Sequence, residues 1–266
     1  MKTKGAISLI VLVITIIVMA ILATTVIISI NNTNVINEAQ NATEKYSLNQ
    51  MKEMVALQKA SIISENDGKT DGAADPIKII IGMTEGGVIT EEEKESMLAN
   101  GGLYNGHDIG IYADDIVKCT KIETEKTMQP TPDESKGKIL RFEFTIHSKY
   151  GITQTTEMGY FMTSTANLGG VSAQERLTLA GMERYGSAKI ITGSANKFCK
   201  VNEDGTLKIG LAITKLADAN LGSEIASRIY IKFDYTDENG KVYKDCIIYS
   251  PVAISSYNQA LTNSGI

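Results

Sequence analysis

Residues 6–30 are an unbroken run of Ala, Ile, Leu, Val and Met, interrupted only by Ser8, Thr15, Thr24, Thr25 and Ser29. As a helix this run of 25 residues is about 37 Å long, against a bilayer hydrocarbon core of about 30 Å. It holds no Gly and no Pro, so nothing in it forces a kink, and the pattern predicts a transmembrane helix over 7–30. The polar residues Asn31, Asn32, Thr33 and Asn34 end the run. From Val35 the period changes. Val35, Ala39, Ala42, Tyr46, Met54, Leu57 and Ala60 recur at steps of three or four, apart from a gap at Gln50. Glu38, Lys45, Lys52 and Lys59 fall on other faces, which predicts an amphipathic continuation of the helix over 31–65. The breakers Asn66, Asp67 and Gly68 stop it. Residues 66–76 mark a loop and a domain boundary. Their spaced acids resemble a calcium loop, but Lys69 interrupts them and the later Glu is missing, so a surface turn is expected.

Beyond the loop the period shortens. Strands are predicted over 77–81, 139–147, 159–163, 188–192, 207–214, 228–235 and 242–250. Leu140, Phe142, Phe144 and Ile146 alternate onto one face, as do Ile231, Phe233 and Tyr235. Asp237-Glu238-Asn239-Gly240 between two such strands is a hairpin signal, and Gly137, Gly151 and Gly205 mark further turns. Two short helices interrupt the strands. Thr90 with Glu93 forms a capping box for one that closes near Gly101, and Ser172 with Glu175 opens a second that ends near Gly181. The fold class is therefore α+β: a long N-terminal helix, transmembrane in its first half, then a mainly antiparallel sheet domain over 76–266 with two short helices. That domain is one body or two lobes divided near 168–181.

The chain has 266 residues, 43% of them hydrophobic and 21% charged, which excludes a disordered or collagenous protein. A net charge of −5 lacks the basic surplus of a nucleic-acid binder, so no nucleic-acid partner is expected. The charges are segregated. Lys2 and Lys4 precede the apolar run, and nothing charged follows until Glu38. The excess of Lys on that side predicts a single pass through the cytoplasmic membrane, with the lipid bilayer as a partner and the C-terminal domain outside. A cleaved secretory signal fits less well. The run is too long, and Ala20-Ile21-Leu22-Ala23 places Leu where a small residue is wanted. No Cys precedes Cys119, which excludes a lipoprotein.

Lys2-Thr3-Lys4-Gly5-Ala6-Ile7-Ser8-Leu9-Ile10, running on into Val11, Leu12, Ile14 and Ile17, resembles the start of type IV prepilins and pseudopilins, closest to the Ile-rich forms of Gram-positive bacteria. The resemblance covers residues 2–60. It implies a leader over 1–6 removed by prepilin peptidase, with Ile7, Ser8, Leu9, Ile10, Val11, Leu12, Ile14 and Ile17 in the membrane and assembly helix. The motif register puts the cut after Ala6, before Ile7, whereas the family's commoner leader-closing Gly puts it after Gly5. Val11 stands where the family usually has Glu. In the family that carboxylate pairs with the amino terminus of a neighbouring subunit, and no acid lies within reach here. The implied protein is a structural subunit of a type IV pilus-like or pseudopilus cell-surface filament. Its partners are other pilin subunits, the prepilin peptidase and the pilus assembly platform. Its roles lie among adhesion, secretion, motility and DNA uptake, with N-methylation of the new amino terminus. The alternative is a single-pass anchored binding or sensing domain that never polymerises.

Candidate chemistry is sparse. His107 and His147 stand alone, without metal-ligand spacing, so no metal is expected. Ser135 with Lys138 and Ser194 with Lys197 match Ser-x-x-Lys but lack its companion motifs, and the glycine patterns that cradle phosphates are absent. No catalytic residue, enzyme activity or cofactor is expected. Cys119, Cys199 and Cys246 are an odd set. The resemblance implies a C-terminal disulfide between Cys199 and Cys246, and three buried thiols are the other reading.

Overall fold

The computed structural model describes residues 35–70, 72–129, 133–147 and 149–265. The chain divides into two compact units, Met1–Gln50 and Met51–Ile266. Helix α1 (Val35–Glu65) runs through 31 residues, about 46 Å at 1.5 Å per residue. In the second unit it turns one face inward, burying Met51, Val55 and Ile62 at helical spacing. It ends where the Gly68 N–H reaches the Ile63 carbonyl at 2.9 Å, with Asp67 and Gly68 at positive φ.

Two expectations are corrected here. Among the described residues no helix is long and apolar enough to cross a membrane, because α1 carries Glu38, Glu44, Lys45, Lys52, Glu53 and Lys59 along its length. This overturns the long N-terminal helix with a transmembrane first half. It also overturns the localisation derived from that helix, a single pass in the cytoplasmic membrane with an outside domain. The predicted leader 1–6 and span 7–30 lie outside the described residues. The remainder is α+β with antiparallel sheets, but it holds more than the two short helices expected.

Residues 77–81 are one reason. They are not a strand but part of α2 (Pro76–Glu85). Asp75 caps the helix and Pro76 occupies its first turn, and these start signals outweigh the strand preference of a β-branched run. The helix buries Ile77, Ile79, Ile80 and Met83. Helix α3 (Glu91–Asn100) has the expected Thr90–Glu93 capping box and closes on Gly101 in the left-handed conformation.

Nine strands follow among the described residues. They are β1 (Val117–Thr124), β2 (Leu140–Ile146), β3 (Glu157–Ser164), β4 (Ile191–Ser194), β5 (Cys199–Val201), β6 (Leu207–Ile213), β7 (Ile225–Thr236), β8 (Val242–Tyr249) and β9 (Ala253–Ser255). One sheet has the order β1-β2-β6-β5; the other has β4-β3-β7-β8, with β9 on β7. Every pairing is antiparallel. The predicted hairpin joins β7 to β8, its Asp237 N–H donating to the Lys241 carbonyl at 3.0 Å.

The two sheets share one core. Phe142, Phe144, Ile209 and Leu211 of the first meet Met158, Met162, Ile229, Ile231 and Ile248 of the second. The outer face of the second sheet is covered as well. Phe161, Ala226 and Tyr249 pack with Ala173, Leu177 and Met182. These belong to or flank α4 (Ala173–Arg176) and α5 (Leu179–Tyr185). The single helix expected after Ser172 is thus two, because Thr178 caps a second start. Helix α3 lies against β8, and α6 (Tyr257–Asn263) lies against β1.

Candidate functional site

The end of α1, α2, α3 and the β7–β8 hairpin enclose a cleft of about 860 Å³. Its back wall depends on a close helix contact. A Cβ on Gly82 of α2 would fall 2.0 Å from the Gln58 amide nitrogen of α1, so Gly is what lets the Gln58 side chain lie across α2. Asp75 sits beside it, 2% exposed. Its Oδ1 accepts from the Ile77 and Lys78 N–H groups at 3.1 and 3.3 Å, and its Oδ2 takes Lys149 Nζ at 2.8 Å.

An aromatic row forms the opposite wall. Tyr150 stacks on Phe233 at 5.5 Å and meets Tyr235 edge-on at 5.4 Å; Tyr235 stacks on Tyr243 at 6.3 Å. Burial, and then Asp75, keep the Tyr150 phenol protonated. Two ammonium groups lie over the Tyr243 ring, Lys94 at 5.1 Å and Lys241 at 4.6 Å. Burial acts to lower the Lys94 pKa, but hydrogen bonds to Glu91 and Tyr243 outweigh it and hold it above its ordinary value. Lys94 reaches Glu91 at 2.7 Å, and Lys241 reaches Glu95 at 3.3 Å. The rim carries Glu65, Glu85, Asp237 and Glu238 against Lys78, so the cleft presents acceptors and negative charge.

A second polar cluster lies against the outer face of the second sheet. His107 Nδ1 is 3.3 Å from Glu175, and its Nε2 is 2.9 Å from Arg184. The Tyr185 hydroxyl donates to the same Glu175 carboxylate. Next along the chain, Asp108 accepts from the Tyr112 hydroxyl at 2.8 Å. Arg228 lies 5.8 Å from the Tyr112 ring and 4.6 Å from the Tyr249 ring. Arg228 is 2% exposed and donates to the Ser250 carbonyl at 2.7 Å. Burial lowers its pKa to about 10.

Sequence reasoning missed both clusters. His107 is far along the chain from Glu175 and Arg184, and only the Thr90–Glu93 box and the 237–240 turn marked the cleft's edges. The leader residues Gly5, Ala6 and Ile7 and the assembly residues Ser8, Leu9, Ile10, Val11, Leu12, Ile14 and Ile17 lie outside the described residues. Cys199 is on β5 of the first sheet and Cys246 on β8 of the second. All three cysteines are free, so the pairing the resemblance implies is not formed. His147 is exposed at the end of β2, and Lys138 is paired with Asp218. Among the described residues no group of three or more His, Cys, Asp and Glu is placed to hold a metal ion. No family model, curated protein or solved structure matches this chain.

Proposed function

We propose that the chain is a structural subunit of a type IV pilus-like or pseudopilus filament, cut by prepilin peptidase and assembled through its N-terminal helix. The observation that carries this reading is the two-sided character of α1. Past Met51 the helix buries Met51, Val55 and Ile62. Before it, every described side chain from Glu38 to Gln50 is exposed or half-exposed, Tyr46 at 66%. Within the second unit the helix is anchored on its own domain, which is what a subunit needs when its N-terminal segment packs with those of other copies. The motif from Gly5 to Val11 supports the same reading.

Intact mass and N-terminal peptide sequencing of the native protein test it. A chain beginning at Ala6 or Ile7, with or without N-methylation, is the expected result. A chain that keeps Met1 or begins at Lys2 overturns the proposal.

A further inference from the structure

The second sheet ends in two surfaces of opposite charge. At one edge, β4 is paired only to β3, and the chain runs on through a short turn to β5, the edge of the first sheet. This edge exposes Ile191 at 54%, Phe198 at 38% and Val201 at 53%. Lys189, Lys197 and Lys200 lie beside them in the chain, Lys197 over the Phe198 ring; residues 187–202 contain no Asp or Glu, and Glu203 and Asp204 follow in the turn after β5. At the other edge, α3 covers β8. That side carries Glu85, Glu91, Glu92, Glu93, Glu95, Asp237 and Glu238, with Lys94, Lys241 and Lys244 among them. It also exposes two apolar residues, Val88 at 38% and Val242 at 52%.

We infer that these two surfaces bind each other between copies, the basic β4–β5 edge of one chain seating on the acidic α3 and hairpin face of the next. Strand order carries the argument. β4 and β8 are separated by β3 and β7, about 14 Å at the usual strand spacing. The surfaces face away from one another and cannot meet within one copy. A contact between two different patches is heterologous, and where its rotation does not close a ring it propagates as an open chain. An edge-to-edge contact between two β4–β5 segments would instead set lysine against lysine. Each patch combines exposed apolar side chains with charge of one sign, and the edge strands leave main-chain groups free to pair. This rests on the filament reading and specifies which surfaces of the Met51–Ile266 unit repeat along it.

Charge reversal in the purified full chain, held in mild detergent because residues 6–30 are apolar, tests the contact. One variant is Lys197→Glu with Lys200→Glu. The other is Glu92→Lys with Glu238→Lys, residues outside the ion pairs of Lys94 and Lys241. Association is followed by sedimentation, with thermal unfolding to confirm that each variant is folded. The wild type is expected to associate, more weakly as salt rises. Each variant alone should associate about tenfold more weakly or less, and an equimolar mixture of the two should recover the wild-type strength. Variants that associate like the wild type, a mixture that stays apart, or a wild-type chain that does not self-associate would each overturn the inference. If N-terminal sequencing shows a processed chain while the variants still associate normally, this interface falls and the filament reading stands. A chain that keeps Met1 removes the filament reading itself.

Discussion

Gly101 is held by two demands at once. It closes α3 at φ 76°, where any Cβ is strained, and a Cβ there would fall 2.2 Å from the ring of Tyr249. Tyr249 cannot yield. It is 1% exposed, its hydroxyl accepts from the Leu179 N–H at 3.1 Å, and Arg228 is stacked on it. Gly240 is its natural control, because it has φ 80° and no atom within 4 Å of where a Cβ would stand. Gly240→Ala should therefore cost only the backbone strain, about 1 kcal/mol. Gly101→Ala should add the clash and cost about 2–4 kcal/mol. Urea unfolding of the two variants separates the terms, and equal losses would mean that Tyr249 moves aside freely.

At the scale of the element, Asp75 decides whether residues 76–85 are helix at all. Its carboxylate caps α2 and also holds Lys149. Asp75→Ala removes both functions from a buried site and should cost about 2–4 kcal/mol. Asp75→Asn keeps the capping oxygen and gives up the charge pair, so its loss should be smaller. Chemical denaturation ranks them, and an Asn variant as weak as the Ala variant would place the stability in the ion pair rather than the cap. The same residue shows what the sequence made legible. Strands β2 and β6 and the middle of β7 follow from alternation, because their inner faces meet one core; β8 buries Cys246 to Tyr249 in succession and follows instead from the hairpin signal before it. Residues 77–81 show no such alternation, and a run of Ile satisfies a buried helix face as well as a strand; only the Asp75-Pro76 start signal discriminates. β1 escaped notice because Cys119 and Lys121 flank a bulge, which breaks the two-residue period. The cleft was illegible for a different reason: Asp75, Tyr150 and Tyr243 come from distant elements, and no local pattern brings them together.

Across the whole molecule, burial of phenols and thiols sets how the fold responds to alkali. Seven of the 11 tyrosines, Tyr112, Tyr150, Tyr185, Tyr230, Tyr235, Tyr249 and Tyr257, are held above their ordinary value. Tyr249 is pushed by burial to about 12. Burial likewise raises the Cys119 and Cys246 thiols from 9.0 to about 11. A raised pKa means that the folded chain keeps a proton the unfolded chain has already released. The stability tied to these groups is complete below pH 9, where both states are protonated. It is lost as pH rises through about 11 for the thiols and about 12 for Tyr249. Arg228 works in the opposite sense. Its pKa is lowered to about 10, so above that pH the folded chain sheds a proton that the unfolded chain retains, which favours the fold. Burial raises the Cys199 thiol as well, and one guanidinium against seven phenols and three thiols leaves the balance with the acids. The melting temperature should hold steady up to pH 9 and then fall progressively to pH 12. Tyrosinate absorbance from the buried Tyr150 and Tyr249, read as the difference from Phe variants, should rise together with unfolding rather than ahead of it. A melting temperature that stays level to pH 12, or titration of these two phenols while the fold is intact, would show that the interior around Tyr249 and Tyr150 admits water and hydroxide.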